Sequence, residues 1–395
     1  MNVRIVYRHY RPLHDLYRSF LIEPPPQVSF AIPRTMRAAR RLYPLYLLFG
    51  DWAPVRSVIA VAQDVLFGTT GAPDRADLLH FIQMVPLREP QRPYVVDFEH
   101  AAALANFVRF DESTRKRIEN FFVHRNCRKI IPLTRAAEQS LLALLPDLPD
   151  DVRGKVEVIY PALPNHTKQG EDDAGPSSTA LGNAGPKFLF VGNDVYRKGL
   201  HELMRAFRQL EAKYPKAELH VVSNAPTELK REYASARILH YDPIYSFDEM
   251  IDRFYLACDV LVLPTHCDTF GMAILNALSC GKPVVTTDQF AARELVRDGE
   301  NGLIVRSRRL LLNEICAPDR AITRAFVTRD ADPLLVEELI EALERLCADR
   351  AEIVRMSRDA IKDFEPGGRF SIGERNRKLA NVYAGCADYR ENPAR

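Results

Sequence analysis

The sequence has few of the features that mark secreted, membrane-spanning or metal-stapled proteins. Its seven cysteines are odd in number, scattered and without a Cys-x-x-Cys pair, which argues against a disulfide framework or a zinc site. No run approaches the roughly 20 uncharged apolar residues that span a bilayer. Arg4 and Arg8 interrupt the N-terminal apolar residues, unlike a signal peptide. These absences predict a cytoplasmic protein.

Net charge is also small. Lysine and arginine number 54 and acidic residues 52, a net charge of +2, which disfavours a nucleic-acid partner. Residues 1–60, however, hold nine arginines against three acids. Within them, residues 34–49 (RTMRAARRLYPLYLLF) mix basic and apolar side chains. This stretch predicts either peripheral contact with the anionic inner face of a membrane or a solvated helix face followed by a core strand.

Strand and helix patterns alternate along the chain, which predicts an α/β protein with two Rossmann-like domains. No Gly-x-Gly-x-x-Gly fingerprint is present, which argues against a dinucleotide-dependent dehydrogenase. Residues 168–186 are rich in Gly, Pro, Ser and acids, which predicts a flexible linker. Predicted strands lie at 3–7, 77–81, 94–97, 128–133, 156–160, 187–191, 218–222, 259–263 and 283–286. An irregular loop is predicted at 7–26. Predicted helices lie at 199–213, 247–255, 271–280 and within 332–385.

Residues 261–305 carry the densest set of signals. An apolar strand runs into a loop, a helix opens at Gly271, Gly281 ends it, and a second apolar strand follows. The N–H groups of Phe270, Gly271 and Met272 are expected to point out of the helix start, where the helix dipole favours an anion. This unit therefore predicts a phosphate site or, alternatively, an ordinary crossover without a ligand.

This stretch resembles the donor-binding signature of the family-4 retaining glycosyltransferases (glycosyl transferases group 1), which have the GT-B fold. The resemblance implies two Rossmann-like domains whose parallel sheets face each other across a cleft. It implies an acceptor domain at 1–167, the linker at 168–186, a donor domain at 187–365 and a helix at 366–395 that crosses back to the first domain. The matching residues are Asp268, Phe270-Gly271, Asn276-Ala277, Gly281-Lys282-Pro283-Val284, Glu294 and Asp298-Gly299-Glu300-Asn301-Gly302.

Two positions depart from the family pattern in this segment. The family has Glu at both ends of an eight-residue step, where this chain has Asp268 and Asn276. The resemblance implies that Asp268 accepts hydrogen bonds from sugar hydroxyls and that Asn276 faces the ribose diol. An amide is neutral and carries its own donors, so weaker nucleotide binding or a different nucleotide is expected.

A second loop, Gly192 to Gly199, follows the strand at 187–191. The family has Gly-Arg and Lys-Gly here, and its Arg and Lys clamp the donor pyrophosphate. Lys198 and Gly199 match, whereas Asn193 replaces the Arg. Arg197 is a candidate to replace the lost charge. The alternative for Arg197 and Lys198 is a solvated turn.

Other candidate donor contacts are open to two interpretations. His266 lines the sugar pocket or is an ordinary loop histidine. Ser223 and Asn224, at the end of a predicted strand, are expected beside the nucleotide. Glu294 matches a family Glu, or is an acid favoured by a helix N-terminus.

In the first domain, Glu99 and His100 end a predicted strand at the place where the family often has a His facing the reacting sugar. Either residue is a candidate to orient the acceptor or to contact a donor hydroxyl; the alternative is a buried structural pair. Between residues 306 and 332 the chain has a longer connection than the family. Its Asp330-Ala331-Asp332 triplet predicts an N-cap before Pro333 rather than a metal site.

Taken together, the residues and the resemblance predict a retaining, metal-independent glycosyltransferase. It would move a sugar from a nucleotide diphosphate sugar, as co-substrate, to an acceptor hydroxyl on a glycan, lipid or small molecule, with no bound cofactor. Two alternatives are a nucleotide-sugar-binding protein that acts as a partner or regulator, and a nucleotide-sugar epimerase of the same fold. The predicted catalytic residues are Asp268, Lys198, His100 and Glu99.

Overall fold

A computed structural model describes residues 1–7, 15–31, 76–86, 89–105, 111–167, 185–308 and 330–391. The basic stretch at 34–49, most of the linker, and most of the connection between 306 and 332 lie outside the described residues. The chain divides into two compact units. The first comprises Met1–Ala162 with Ile372–Arg395, and the second comprises Leu163–Ser371. The sequence predicts boundaries at 167 and 365, a few residues from these.

The first unit is built on a five-stranded parallel sheet of order β2-β1-β3-β4-β5. All five residues of β3 and of β4 are buried, as expected for central strands of a parallel sheet covered on both faces. The strands are β1 (Asn2–Val6), β2 (Ser29–Ala31), β3 (Leu78–Ile82), β4 (Tyr94–Phe98) and β5 (Cys127–Pro132).

Two helices of this unit begin at short polar side chains that cap them. Asp111 accepts from the Thr114 N–H at 2.9 Å, and Thr134 from the Ala137 N–H at 3.0 Å, so each cap satisfies an N–H that lacks a partner within the helix. The helices are α1 (Arg18–Ile22), α2 (Ala101–Leu104), α3 (Glu112–Val123), α4 (Arg135–Leu144) and α5 (Asp150–Arg153).

The C-terminal helix, Ile372–Glu391, belongs to this first unit and is held by a buried polar chain. The Tyr383 hydroxyl lies 2.7 Å from His80 Nδ1, and His80 Nε2 lies 3.2 Å from Asp97 Oδ2. Tyr17 donates to the other carboxylate oxygen of Asp97 at 2.8 Å. All four side chains are buried, so each polar group needs these bonds.

The second unit has a six-stranded parallel sheet of order β11-β10-β9-β6-β7-β8. Strand order reverses between β6 and β9, and open α/β sheets bind ligands at the carboxyl edge of such a point. The strands are β6 (Lys187–Val191), β7 (Glu218–Val222), β8 (Ile238–Tyr241), β9 (Val260–Leu263), β10 (Val284–Thr287) and β11 (Gly302–Val305).

The helices predicted at 199–213, 247–255 and 271–280 lie within a residue of their predicted bounds. The helix at Met272–Ser279 ends in a Schellman motif, with Gly281 N–H on the Leu278 carbonyl and Lys282 N–H on the Ala277 carbonyl, both at 2.9 Å. The helices are α6 (Leu200–Lys213), α7 (Thr227–Glu232), α8 (Phe247–Met250, continued by a π-turn at Ile251–Tyr255), α9 (Met272–Ser279), α10 (Ala292–Leu295), α11 (Pro333–Ala348) and α12 (Arg350–Lys362), after which the C-terminal helix is α13.

The structure differs from the predicted elements in several places. The predicted loop at 7–26 contains α1, because Phe20 and Ser19 are buried by helix formation there. The predicted strand at 156–160 is extended chain with a single bridge from Val156 to Ile130. The short strands β2 and β8 were not predicted, since each lies at a sheet edge and has few buried side chains. The edge strand β11 and the helices α2, α3, α5 and α7 were not predicted either.

Candidate functional site

Two loops meet at the reversal of strand order in the second unit. The Lys198 loop (residues 192–199) follows β6, and the Asp268 loop (residues 264–271) follows β9. Because β6 and β9 pair directly, with Phe188 opposite Val260, both loops leave the same carboxyl edge of the sheet. The predicted site residues of the two loops therefore come together in space although 70 residues separate Lys198 from Asp268.

Lys198 and Asp268 form an ion pair between the two loops. Lys198 Nζ donates to Asp268 Oδ2, and the two side chains are 15% and 16% exposed. Such a partly desolvated pair leaves both side chains open to a ligand. The predicted cation for the donor phosphate thus has an anionic partner within the protein.

The pKa of Asp268 is lowered below its usual value of 3.8. Burial alone would raise it, but the charge and hydrogen bond of Lys198, the charge of Arg197 and the Phe270 N–H together outweigh burial. Asp268 is therefore a carboxylate at neutral pH, an acceptor for hydroxyl groups.

This shift predicts how the stability of the protein depends on pH. Because the native carboxyl binds its proton more weakly than the unfolded one, ionised Asp268 stabilises the fold above the unfolded pKa of about 3.9. That contribution is lost as the pH falls through the lower native pKa. In urea titrations, wild type should have a higher free energy of unfolding than Asp268→Asn, and we expect this difference to shrink as pH falls below about 4.

The control for this comparison is Asp242→Asn, since Asp242 is exposed. Its difference from wild type should stay small and follow no such pH dependence. A wild-type advantage over Asp268→Asn that is the same at pH 7 and at pH 2.5 would contradict the assignment.

Arg197 holds the two loops together instead of facing open space. Its Nε donates to Asp194 Oδ2 at 2.8 Å and its Nη1 to the Cys267 carbonyl at 2.6 Å. The prediction that Arg197 replaces the missing phosphate cation does not fit these contacts, because both sides of the guanidinium already serve the loops. Asn193, at the position of the family's Arg, is exposed, so Lys198 is the one cation of this loop suited to a phosphate.

Gly199 lets the Lys198 loop pass close to the Asp268 loop. Its φ is +74°, and a Cβ there would lie 2.1 Å from the carbonyl oxygen of Pro264. Only glycine combines this left-handed backbone with so close an approach. The Lys-Gly pair thus has a physical reason: the glycine admits the neighbouring loop that carries Asp268.

The start of α9 matches the predicted anion site in part. Gly271, with φ of +95°, is the N-cap, and among the described residues no acceptor lies within bonding distance of the Gly271 or Met272 N–H. The Phe270 N–H, in contrast, faces the Asp268 carboxylate and lowers its pKa. Two of the three predicted N–H donors therefore suit a phosphate, and the third orients Asp268.

Asn276, on the same helix, is half-buried and its side chain contacts the hydroxyl of Tyr255. Its Oδ1 is buried and has no hydrogen-bond partner in the part of the chain that the structure describes. The tyrosine comes from the π-turn after α8, which the sequence does not connect with Asn276. The role of Asn276 toward a ribose stays a prediction.

His266 is turned into the protein. Its ring is 4% exposed, Nε2 lies 3.0 Å from Glu202 Oε1, and Nδ1 lies 3.3 Å from Ser307 Oγ. Both ring nitrogens have partners within the protein, as expected for a loop histidine, and a role of His266 as a lining of the sugar pocket stays a prediction. The histidine supports the backbone of the Asp268 loop from behind.

The remaining donor-side candidates lie at the same sheet edge. Gly192 follows β6 directly, and its N–H donates to the Val222 carbonyl of the neighbouring strand at 3.2 Å. Ser223 is buried and its Oγ accepts from the Ala225 N–H at 3.2 Å, whereas Asn224 is exposed. Glu294, in α10, is half-buried, and its contact with a donor stays a prediction.

In the first unit, Glu99 and His100 follow β4, as predicted. His100 caps α2 by accepting from the Ala102 N–H at Nδ1, at 3.0 Å, and burial lowers its pKa to about 4. A neutral imidazole bonded in this way carries its hydrogen on Nε2. The capping role is structural, and a role toward acceptor or donor stays a prediction.

Metal and membrane features are few in the described ranges. No group of three or more His, Cys, Asp or Glu side chains there could hold a metal ion, and none of the helices in these ranges is long and apolar enough to cross a bilayer.

Asp332 caps α11: its Oδ1 accepts from the Leu334 N–H at 3.1 Å, and Pro333 lies in the first turn. The predicted N-cap is confirmed. Each of the six described cysteines is a free thiol.

The sequence analysis did not single out Glu202, Ser307 or any link from Asp332 to His266. One signal was present. Helical spacing places Glu202 one turn before Ala206 and two turns before Leu210, both on the buried face of α6. An acid on a buried helix face needs a partner, and here the partner is His266.

The comparisons with known proteins cover the segment that holds the two loops. Residues 176–310 match the family model described as Glycosyl transferases group 1, and both loops lie inside the match. A D-inositol 3-phosphate glycosyltransferase of Geodermatophilus obscurus is 33% identical over 134 residues, 30% of this chain and 30% of that protein. The capsular polysaccharide biosynthesis glycosyltransferase CapM of Staphylococcus aureus is 32% identical over 119 residues, 29% and 31% of the two chains. The chain thus spans about a third of these relatives.

Solved structures share the whole fold. HepE from Anabaena in complex with UDP has a TM-score of 0.60 at 15% identity, covering 98% of this chain and 100% of that one. WaaG, a glycosyltransferase involved in lipopolysaccharide biosynthesis, has a TM-score of 0.57 at 14% identity, with the same coverage. The prediction of an α/β, GT-B fold with two parallel-sheet domains is confirmed, and the family match of residues 176–310 supports the predicted relationship.

Proposed function

We propose that this chain is a glycosyltransferase that moves a sugar from a nucleotide diphosphate sugar to an acceptor hydroxyl. The observation that carries the proposal is the convergence of Lys198, Asp268 and the N-terminus of α9 at one sheet edge. The cation and the helix N–H groups suit a diphosphate, and the carboxylate suits sugar hydroxyls. The relatives and fold neighbours named above add independent support.

In the proposed reaction, the acceptor oxygen bonds to the anomeric carbon as the bond from that carbon to the phosphate oxygen breaks. The nucleoside diphosphate leaves with the electron pair, and the hydroxyl proton passes to the departing phosphate or to solvent. Negative charge therefore grows on the phosphate, where Lys198 and the Gly271 and Met272 N–H groups would stabilise it. Retention of configuration is part of the proposal. Independence of metal ions is also part of it, because these donors can replace a metal at the leaving group.

Lys198 would exchange partners when the donor binds. In the structure its charge is matched by Asp268. A diphosphate brings more negative charge than one carboxylate, so Lys198 gains by turning toward it, which frees Asp268 oxygens for the sugar hydroxyls. We propose that the second unit holds the donor and that the first unit, with Glu99 and His100, holds the acceptor, whether glycan, lipid or small molecule.

The first experiment is a thermal-shift panel of UDP-, GDP-, ADP- and dTDP-sugars, each with and without EDTA. A ligand at 100 times its Kd stabilises the native state by about 2.7 kcal/mol, enough for a clear shift of the unfolding midpoint. We expect one nucleotide class to stabilise the protein equally with and without EDTA. Lys198→Ala should abolish that shift, and Lys213→Ala, an exposed lysine on α6, should retain it.

The panel and a donor-turnover assay distinguish the alternatives. Stabilisation without transfer to any acceptor would favour a binding protein, and conversion of the donor alone to another sugar would favour an epimerase. A shift that needs a divalent metal would contradict metal independence. The absence of any shift would overturn the donor site itself.

A further inference from the structure

A buried polar cluster lies behind the Asp268 loop in the second unit. Glu202 Oε1 accepts from the Asp332 N–H at 3.1 Å and lies 3.0 Å from His266 Nε2. Ser307 Oγ lies 3.3 Å from His266 Nδ1 and donates to Asp332 Oδ2 at 3.0 Å. These four residues, the Glu202 cluster, come from three separate parts of the unit: the first turn of α6, the Asp268 loop, and the two sides of the connection between β11 and α11.

Glu202 is the centre of this cluster. It is 2% exposed, and burial by itself would raise its pKa, but the hydrogen bond and charge of His266 and the Asp332 N–H lower it, so the side chain is ionised. Both of its bonds go to Oε1, and Oε2 is buried without a partner in the described residues. A buried carboxylate with one oxygen that lacks a hydrogen bond lowers the stability of the fold, so we expect a benefit to the site that offsets this cost.

The gain that the geometry offers is order in the two loops of the donor site. The backbone N–H of His266 donates to the Arg197 carbonyl at 2.8 Å, and Arg197 Nη1 donates to the Cys267 carbonyl at 2.6 Å. Thr265 Oγ1 adds a bond to the Arg197 carbonyl at 3.3 Å. Glu202 thus holds the ring of His266, and the backbone of His266 holds Arg197, the residue next to Lys198. His266 also lies two positions before Asp268.

We infer that Glu202 and His266 are positioning residues that hold the Asp268 loop against the Lys198 loop, so that Asp268 and Lys198 meet a donor in one fixed arrangement. The inference rests on the proposed function for its effect on turnover. Neither side chain would touch the donor: Glu202 lies beneath the loops and both nitrogens of His266 are engaged within the protein. A displacement of about 1 Å at a reacting group can cost about 100-fold in rate, so ordering from behind is a sufficient reason to keep this pair.

Two substitutions of His266 separate the bond to Glu202 from the bulk of the ring. In His266→Gln, the amide nitrogen can occupy the place of Nε2 and still donate to Glu202. In His266→Asn, the shorter amide reaches only the place of Nδ1, toward Ser307. The matched control is His220→Gln, because His220 also faces a carboxylate through Nε2, 3.3 Å from Glu218, but lies within β7 away from both loops.

The first measurement is backbone hydrogen exchange of peptides that span residues 195–199 and 264–271, which needs no donor. We expect His266→Asn to speed exchange in both segments by about tenfold or more, and His266→Gln and His220→Gln to stay within about threefold of wild type. Glu202→Gln, whose single amide oxygen can still accept both bonds but which loses the charge, should lie between them. Unchanged exchange in His266→Asn would overturn the inference.

The second measurement is kcat and the donor Kd on folded protein, with the donor that the thermal-shift panel identifies. We expect His266→Asn to lower kcat about 100-fold while Kd changes less than about fivefold, and His266→Gln to keep most of kcat. Faster exchange with unchanged kcat per folded molecule would also overturn the positioning role. If wild type turns over no donor, the proposed function fails alone, and the exchange data still decide whether this pair orders the loops.

Discussion

Replacement of Lys198 by alanine is expected to lower kcat/KM about 100-fold, a loss of about 3 kcal/mol of transition-state stabilisation. Lys198 is the one cation of its loop that can turn to a phosphate, because Arg197 is engaged by Asp194 and the Cys267 carbonyl. The family's second cation is absent at Asn193, so no neighbour of the same loop can take over. The loss should appear in donor Kd as well as in kcat, because Lys198 is expected to hold the diphosphate on binding and to stabilise the charge that grows on the leaving phosphate.

Lys213→Ala is the matched control, since it also removes a lysine of a lysine–acid pair, but at an exposed site with Glu344. It should leave kcat/KM within about twofold of wild type. Lys198→Ala also leaves Asp268 without its counter-ion, so each assay needs the folded fraction, and the double variant with Asp268→Asn shows whether the two side chains act together. Turnover of Lys198→Ala near that of wild type would remove Lys198 from the mechanism.

Substitution of Gly199 by alanine is expected to lower the free energy of unfolding by about 2–4 kcal/mol. The left-handed backbone, at φ of +74°, disfavours any side chain, and the added Cβ would lie 2.1 Å from the Pro264 carbonyl oxygen, too close without movement of a loop. The Lys198 and Asp268 loops would then separate. Equilibrium unfolding in urea should show the loss of stability, and donor binding should weaken with it.

Gly299→Ala controls for backbone conformation alone. Gly299 has nearly the same φ, +73°, but nothing lies within 4 Å of the added Cβ. Its cost should be about 1 kcal/mol, the penalty of a left-handed alanine without a clash. Equal losses in the two variants would mean that the approach of Pro264 to Gly199 contributes nothing.

Local signals predicted much of the second unit. The apolar runs of β6, β7 and β9, the glycine that ends α9 and the Asp332-Pro333 start of α11 all lie where the sequence places them. Each is decided by neighbours a few residues apart: backbone N–H groups at a helix start need a cap, and a left-handed glycine ends a helix. Edge strands such as β2 and β8 lack such signals, because they are short and only partly buried.

The partners of the site residues were harder to predict. The sequence analysis places Lys198 and Asp268 in one site through a resemblance, but it does not predict that they pair. It offers Arg197 as a phosphate ligand and His266 as a pocket residue, and the structure engages both within the protein. Glu202 was missed because its partner His266 is 64 residues away, and the buried spacing of α6 says only that this acid needs a partner.

The sequence by itself determined the alternation of strands and helices, the glycines that shape the two loops, and the chemical groups available at their ends. Those properties depend on short-range sterics and on the burial of apolar runs. Only the tertiary structure decided which charge meets which: Lys198 with Asp268, His266 with Glu202, and Arg197 with both loops. Hydrogen bonds and ion pairs act over a few ångströms in space, and the adjacency of β6 and β9, rather than their order in the chain, brings these groups within that distance.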